Sequence, residues 1–123
     1  MILIALGGGL GALIRYLVDT AVNAAARRRW PKLGLPLGTA LINITGSLLL
    51  GLFAGWLMFR TGDASWKLAI GTGTLGGFTT FSTASVEAAR LIIAGRWQAA
   101  IVHALGMMIA ALGAAGLGVW LTS

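Results

Sequence analysis

Four long apolar segments dominate this chain of 123 residues. They cover about residues 2–26, 37–59, 66–94 and 97–121, and short polar or charged connections separate them. An α-helix of roughly 20 apolar residues is long enough to cross the hydrocarbon core of a bilayer. The pattern therefore predicts an all-α membrane protein with four transmembrane helices, in a single domain over residues 1–123.

The composition fits lipid as the main solvent. Hydrophobic residues make up 58% of the chain, charged residues only 10%, and the mean hydropathy is +0.90. Soluble domains carry about 25% charged residues, so a chain this apolar cannot cover its own surface with polar groups. The first segment has no basic region before it and no small-residue cleavage site after it, so we predict that it is retained as a helix.

The charges favour a membrane topology signal over a nucleic-acid surface. The formal net charge is +6, but the basic residues lie between the apolar segments and form no continuous face. We therefore expect no nucleic-acid partner. The absence of cysteine excludes disulfides and thiolate chemistry. No nucleophile–base pair or metal-binding motif stands out, so we do not expect an enzyme.

The second segment carries a row of polar side chains. Thr39, Asn43 and Ser47 are spaced by four, which places them on one face of a helix. A buried amide in hydrocarbon is costly unless it is paired. The row indicates either hydrogen bonds between helices or a polar track for a solute, and the spacing alone does not separate these two interpretations.

The third segment contains a stretch that is a poor helix interior. Residues 76–83 read GGFTTFST, and glycine and threonine both lower helix propensity. The stretch lies near the middle of the segment, so we predict a helix broken near the bilayer midplane. Freed carbonyls at such a break can bind a cation, and the next helix N-terminus favours an anion.

The first and fourth segments carry isolated polar groups. Arg15 and Asp19 are four residues apart, so we expect them to pair, with a structural or vestibule role for Arg15. His103 is the only histidine, which argues against a metal site. We interpret it as a satisfied interfacial residue, with a pore-lining donor as the alternative. Small residues allow close helix packing, and we predict this role for Gly7, Gly8, Gly11, Gly106, Gly113 and Gly116.

Three motifs, in order along the chain, resemble those of one known family. The first reads GGxxGAxxRY from Gly7, the second GTxxxNxxGSxxxG from Gly38, and the third GGFTTFST from Gly76, with Glu87 four residues after it. On these motifs the sequence resembles the Fluc/CrcB family of fluoride ion channels, and the resemblance covers nearly the whole chain.

The resemblance implies a fluoride-selective channel subunit that exports fluoride passively across the prokaryotic plasma (inner) membrane and so relieves fluoride toxicity. It implies dimers of subunits inserted in opposite orientations, with a central structural sodium ion on the backbone carbonyls of Gly76 and Thr79. It also implies pores lined by Asn43 and Phe81. The candidate pore residues that accompany these two are Thr39, Thr80, Ser82 and Glu87.

The chain departs from the family pattern in two places. Ala84 stands where a second pore phenylalanine is usual, and the fourth segment has no hydroxyl residue between His103 and Trp120. Met107, Met108 and Ala111 occupy that stretch. These departures keep open a non-conducting or half-pore subunit of a heterodimer. A small multidrug-type exporter is a further alternative, but the first segment lacks the glutamate that such exporters use.

Basic residues are distributed unequally between the two ends of the predicted helices. Six lie at one end and two, Arg60 and Lys67, at the end that holds the termini. Lys/Arg excess marks the cytoplasmic side, so we predict a fixed orientation with both termini outside the cytoplasm. An antiparallel dimer then requires a partner of opposite bias, a paralogue or otherwise a second copy. The six residues are Arg27, Arg28, Arg29, Lys32, Arg90 and Arg96.

Overall fold

The computed structural model describes the backbone of residues 1–60 and 65–123 and the side chains of residues 1–59 and 71–123. Every regular element in this part of the chain is an α-helix, as predicted. The predicted connection at residues 61–63 lies outside the described residues. The helices are α1 (Ile2–Arg29), α2 (Leu37–Arg60), α3 (Ser65–Phe78), α4 (Phe81–Ile93) and α5 (Trp97–Thr122).

Three of the described helices are long and apolar enough to cross a membrane alone. These are α1, α2 up to Phe59, and α5. Helices α3 and α4 have 14 and 13 residues, each shorter than the roughly 20 that a bilayer requires. Together they occupy the third predicted segment, and the helix is interrupted between them.

The interruption consists of Thr79 and Thr80, between the end of α3 and the start of α4. Thr80 has extended backbone angles (φ −151°, ψ 118°), and its hydroxyl oxygen accepts a hydrogen bond from the Thr83 N–H at 3.2 Å. A threonine that caps the next helix in this way favours a helix start at Phe81. The predicted break is therefore present in the chain, and its depth in the bilayer stays a prediction.

The first helix is longer than the sequence predicted. We expected it to end near residue 26, but α1 continues to Arg29. Arginine has high helix propensity, and positive charges stabilise the C-terminal end of a helix. Pro31 disfavours helical geometry in the residue before it, so the helix ends ahead of Trp30.

The helices pack in two pairs, α1 with α3 and α2 with α5, and the two helices of each pair run in the same direction. In the α1–α3 pair, a Cβ atom added to Gly77 would overlap the Gly8 carbonyl, and one added to Gly11 would overlap the Thr74 carbonyl. In the α2–α5 pair, a Cβ atom on Gly51 would overlap the Ala115 carbonyl. Small residues thus allow backbone-to-backbone contact, as membrane helices often require.

The glycine prediction is right for Gly8 and Gly11 of α1, and within this single chain it is wrong for the three glycines named in α5. Gly8 and Gly11 lie against α3, but Gly106, Gly113 and Gly116 have open space where a Cβ would stand. They lie on the outer face of this single chain, because the α2-facing side of α5 is formed by other residues. The α5 glycine that does pack closely is Gly118, against Leu48 and Leu52 of α2.

Helices α4 and α5 form a hairpin whose turn meets the α1–α2 connection. Gly95 has a positive φ of 74° and makes the turn, a conformation that glycine adopts without strain. The Arg96 guanidinium donates hydrogen bonds to the carbonyl oxygens of Leu33 (2.9 Å) and Gly34 (2.7 Å). The two connections with most of the basic residues therefore lie at one end of the molecule.

Candidate functional site

The helix interruption is held in place by Asn43 of α2. Its Nδ2 donates to the Thr80 carbonyl oxygen at 3.0 Å, and its Oδ1 accepts from the Thr80 N–H at 2.9 Å. The side-chain amide thus pairs with the backbone as a neighbouring peptide group would. Thr80 lies outside both helices, so Asn43 satisfies backbone groups that would otherwise be costly in an apolar surrounding.

This arrangement redirects the N–H groups that would continue the helix. In an unbroken helix the Thr80 N–H would donate to the Gly76 carbonyl, and the Thr83 N–H to the Thr79 carbonyl. Here they donate to Asn43 Oδ1 and to the Thr80 hydroxyl. Carbonyl oxygens are suitable ligands for a hard cation. Neither N–H is thus directed at the carbonyls of Gly76 and Thr79, the two that the sequence resemblance assigned to a sodium ion.

A groove of about 500 Å³ runs beside the interruption, between α2, α4 and α5. Asn43, Thr80 and Phe81 line it, and the Phe81 side chain is 88% exposed in the single chain. The groove also contains all the positions at which the sequence departs from the family pattern. These are Ala84, Met107, Met108 and Ala111.

One N–H of Asn43 faces the groove with a weak partner. Its second contact is Nδ2 to the Met107 sulfur, at 3.4 Å. A thioether sulfur is a weak hydrogen-bond acceptor. A stronger acceptor in the groove would compete for this N–H without breaking the bonds between Asn43 and Thr80.

A second polar cluster lies one helical turn from Asn43, around Thr39 on the same face of α2. Thr39 is 1% exposed, and its hydroxyl donates to Glu87 Oε1 at 2.8 Å. Two clefts, of about 180 and 310 Å³, adjoin this cluster. Thr39 and Arg15 line the smaller cleft, while Ser82 and Glu87 line the larger one. The predicted pore residues therefore form two groups, and Thr80 lines both the groove and the smaller cleft.

The predicted pair between Arg15 and Asp19 is wrong. Arg15 donates from Nη1 to the Thr83 hydroxyl at 3.3 Å, and Asp19 accepts from Asn23 at 2.9 Å. The hydrogen bond from Arg15 to Thr83 connects α1 with α4. Asn23 also accepts from the Gly38 N–H at 3.0 Å, so the polar side chains of α1 bind neighbouring elements as well as one another.

The polar row on α2 makes hydrogen bonds between helices. Thr39 bonds to α4, and Asn43 bonds to the interruption. Both bonds agree with the first interpretation of this row, hydrogen bonding between helices. Ser47 lines the groove. The second interpretation, a solute track, remains compatible with these bonds because Asn43 and Ser47 face the same groove.

His103 was placed wrongly by the sequence analysis. It is 6% exposed, and its Nε2 lies 4.0 Å from Glu87 Oε2, so it is a buried member of the second polar cluster. The spacing of the residues becomes informative only once α2 and α5 are seen to run side by side. His103 and Met107 are four residues apart on α5, as Thr39 and Asn43 are on the parallel helix α2, and the two pairs face each other.

These features define a small helical membrane protein whose third apolar segment is interrupted at a polar site between helices. A sequence profile of the family described as "CrcB-like protein, Camphor Resistance (CrcB)" matches residues 2–119. The chain belongs to this family.

Several relatives are similar to this chain over most of its length. A protein of Leifsonia xyli subsp. xyli named "Fluoride-specific ion channel FluC 1" is 45% identical over 96% of this chain and 82% of its own. One of Cutibacterium acnes named "Fluoride-specific ion channel FluC 2" is 44% identical over 100% and 97%. One of Methylobacterium nodulans named "Fluoride-specific ion channel FluC" is 46% identical over 91% and 85%.

Proposed function

We propose that this chain is a subunit of a fluoride-selective channel through which fluoride leaves the cell down its own gradient. The observation that carries this proposal is the similarity, over nearly the whole chain, to proteins named fluoride-specific ion channels. The interrupted helix and the groove that Asn43 and Thr80 line support this proposal. The chain is accordingly a transport protein and not an enzyme.

The amide of Asn43 is the group that we assign to the anion. Fluoride is small, strongly hydrated and a good hydrogen-bond acceptor, so an N–H donor can replace part of its water. The Asn43 N–H that now contacts the Met107 sulfur is placed for this exchange. Among the described residues that line the groove there is no lysine or arginine, which suits conduction because a bound ion must also leave.

Phe81 is the second residue that we assign to the path. The edge of a phenyl ring is electropositive, so it can face an anion without acting as a tight binding group. Phe81 follows the interruption directly and lines the groove with Asn43. Its high exposure in the single chain fits a ring that a neighbouring subunit covers.

A structural sodium ion fits the carbonyls of Gly76 and Thr79. These carbonyls would hold the ion, and its positive charge would then stand at the interruption. The chain's own contribution is made by Asn43 and Thr80, which redirect the two N–H groups that would otherwise occupy these carbonyls.

We propose an antiparallel dimer with a partner inserted in the opposite orientation. The bond from Arg96 to the α1–α2 connection supports the count of six basic residues at one end of this chain. A chain with this bias has one preferred orientation, with its termini outside the cytoplasm. The simplest partner is a paralogue with the reverse bias, and a second copy is the alternative. Positive residues on the cytoplasmic side also fit a multi-pass protein of the prokaryotic plasma membrane.

Fluoride efflux from liposomes tests the proposed function. Purified protein is reconstituted in vesicles loaded with potassium fluoride, and a potassium ionophore starts the efflux that a fluoride electrode records. We expect efflux only with ionophore, because a passive anion path separates charge. The proposal fails if native protein, together with its partner where one exists, releases chloride as fast as fluoride or releases neither.

A further inference from the structure

Two buried polar atoms face each other between α4 and α5 without another partner. Glu87 Oε2 and His103 Nε2 lie 4.0 Å apart, and each is buried with no hydrogen bond to any described group. The Glu87 and His103 side chains are 13% and 4% exposed. Nearly all buried polar atoms in proteins find a partner, so this pair of atoms requires an explanation.

The rest of the cluster leaves only these two atoms to satisfy each other. Thr39 donates to the other carboxyl oxygen, Glu87 Oε1, at 2.8 Å. A carboxyl group and an imidazole can share one proton in either of two forms, an acid beside a neutral ring or a carboxylate beside a charged ring. Both forms leave the pair with no net charge. Loss of the proton leaves one negative charge at a site where charge is costly.

Charged neighbours of both signs surround the pair. Helix α1 contributes a carboxylate and, in its last turn, an arginine, while α4 itself contributes a second arginine. The facing residues of α2 and α5 in this cluster are Thr39 and His103. The net charge of the charged neighbours is positive, but none of these groups is hydrogen-bonded to Glu87 Oε2 or His103 Nε2, so they do not replace a proton on the pair. The three charged neighbours are Asp19, Arg27 and Arg90.

We propose that Glu87 and His103 form a proton-binding site that keeps this carboxyl group from opposing the fluoride path. The inference rests on the proposed function for its consequence, since a bare carboxylate near an anion path repels the anion. The proton itself is a property of the folded chain. As pH rises and the pair loses its proton, the pair gains a negative charge and fluoride conduction falls.

Nitrogen-15 NMR of the imidazole tests the site without any transport measurement. His103 is the only histidine, so its ring signals are assigned by labelling histidine alone. We expect its titration midpoint to move by at least about one pH unit, a tenfold change in proton affinity, in Glu87→Gln. Asp19→Asn is the matched control, because it removes a nearby carboxylate that makes no contact with the ring. Equal midpoints in wild type and Glu87→Gln, or an equal shift in both variants, would overturn the inference.

Fluoride efflux over the neutral to alkaline range supplies a second readout. Hydrogen fluoride is scarce in this range, so leakage through the lipid stays small. We expect wild-type efflux to fall several-fold as pH rises and Glu87→Gln to lose this dependence. Thr39→Val, which retains both titrating groups, should keep it, and a flat wild-type profile contradicts the inference. A shifted His103 midpoint in Glu87→Gln without any efflux would support the proton site and refute the proposed function. Selective efflux without that shift would support the proposed function and refute the proton site.

Discussion

The side-chain amide of Asn43 forms two hydrogen bonds with the backbone of Thr80, at 3.0 and 2.9 Å. An amide that matches both the N–H and the carbonyl of one residue acts as a substitute for a neighbouring peptide group. This one side chain therefore does two things. It stabilises non-helical backbone among apolar packed helices. It also places a polar group beside the groove.

Aspartate has the same shape as asparagine, so Asn43→Asp tests the backbone hydrogen bonds and the polar group without a loss of side-chain volume. Asn43→Asp retains an oxygen that accepts from the Thr80 N–H but removes the donor to the Thr80 carbonyl, and it adds a negative charge near the path. We expect fluoride efflux to fall at least about tenfold, equivalent to about 1.4 kcal/mol in the barrier. We also expect a lower thermal unfolding midpoint.

Thr45→Val is the control for Asn43→Asp. Thr45 lies on the same helix, and its hydroxyl donates only to backbone carbonyls of that helix, at 2.7 and 3.3 Å. Its efflux and unfolding midpoint should equal those of wild type. Wild-type efflux in Asn43→Asp would show that Asn43 serves packing alone.

Replacing Phe81 by isoleucine tests the role of the ring edge. Isoleucine keeps much of the apolar bulk but has no electropositive edge, so fluoride efflux should fall several-fold. Packing within this chain should change little, because the ring is 88% exposed in the single chain. Phe59→Ile, at a ring that is 56% exposed and lies outside the groove, should conduct as wild type does. Equal rates in the two variants would remove Phe81 from the path.

Two glycines of α1 provide a stability test of the helix packing. A Cβ atom on Gly11 would overlap the Thr74 carbonyl of α3, while one on Gly9 would meet nothing. Gly11→Ala should lower the free energy of unfolding by about 1–3 kcal/mol, as overpacking typically does. Gly9→Ala should be neutral or slightly stabilising, because alanine has the higher helix propensity. Thermal unfolding in detergent gives the comparison, and equal midpoints would contradict the α1–α3 contact.

The orientation of the chain can be read from reporters on its termini. The excess of basic residues at the opposite end predicts that both termini lie outside the cytoplasm. A reporter that is active only in the cytoplasm should therefore give little signal when fused to either end. Strong signal from a large fraction of molecules would indicate insertion in both orientations and would favour a homodimer.

The sequence predicted the parts of this fold that depend on local composition. Apolar length marked α1, α2 and α5, and the weak helix propensity of residues 76–83 located the interruption at Thr79 and Thr80. It did not predict which helices pair, because the Cβ overlaps that fix α1 on α3 and α2 on α5 depend on the arrangement in space. For the same reason it assigned close packing to Gly106, which faces open space.

The sequence predicted which residues form the candidate site, but it did not predict the hydrogen bonds between them. Asn43 and Thr80 were both identified, but their hydrogen bonds connect positions 37 residues apart. Arg15 was expected to bind the nearest acid along its own helix, whereas Thr83 of α4 is its partner. His103 was misplaced because a lone histidine carries no spacing signal until α2 and α5 are seen to run side by side.

The most direct test of the central claim is a reversal potential in a planar bilayer that contains the channel. With unequal fluoride concentrations and a large, equal background of chloride on both sides, a fluoride-selective path reverses at the fluoride equilibrium potential. The account predicts this value for the native assembly. A reversal potential near zero would mean that chloride carries the current, and it would contradict the account.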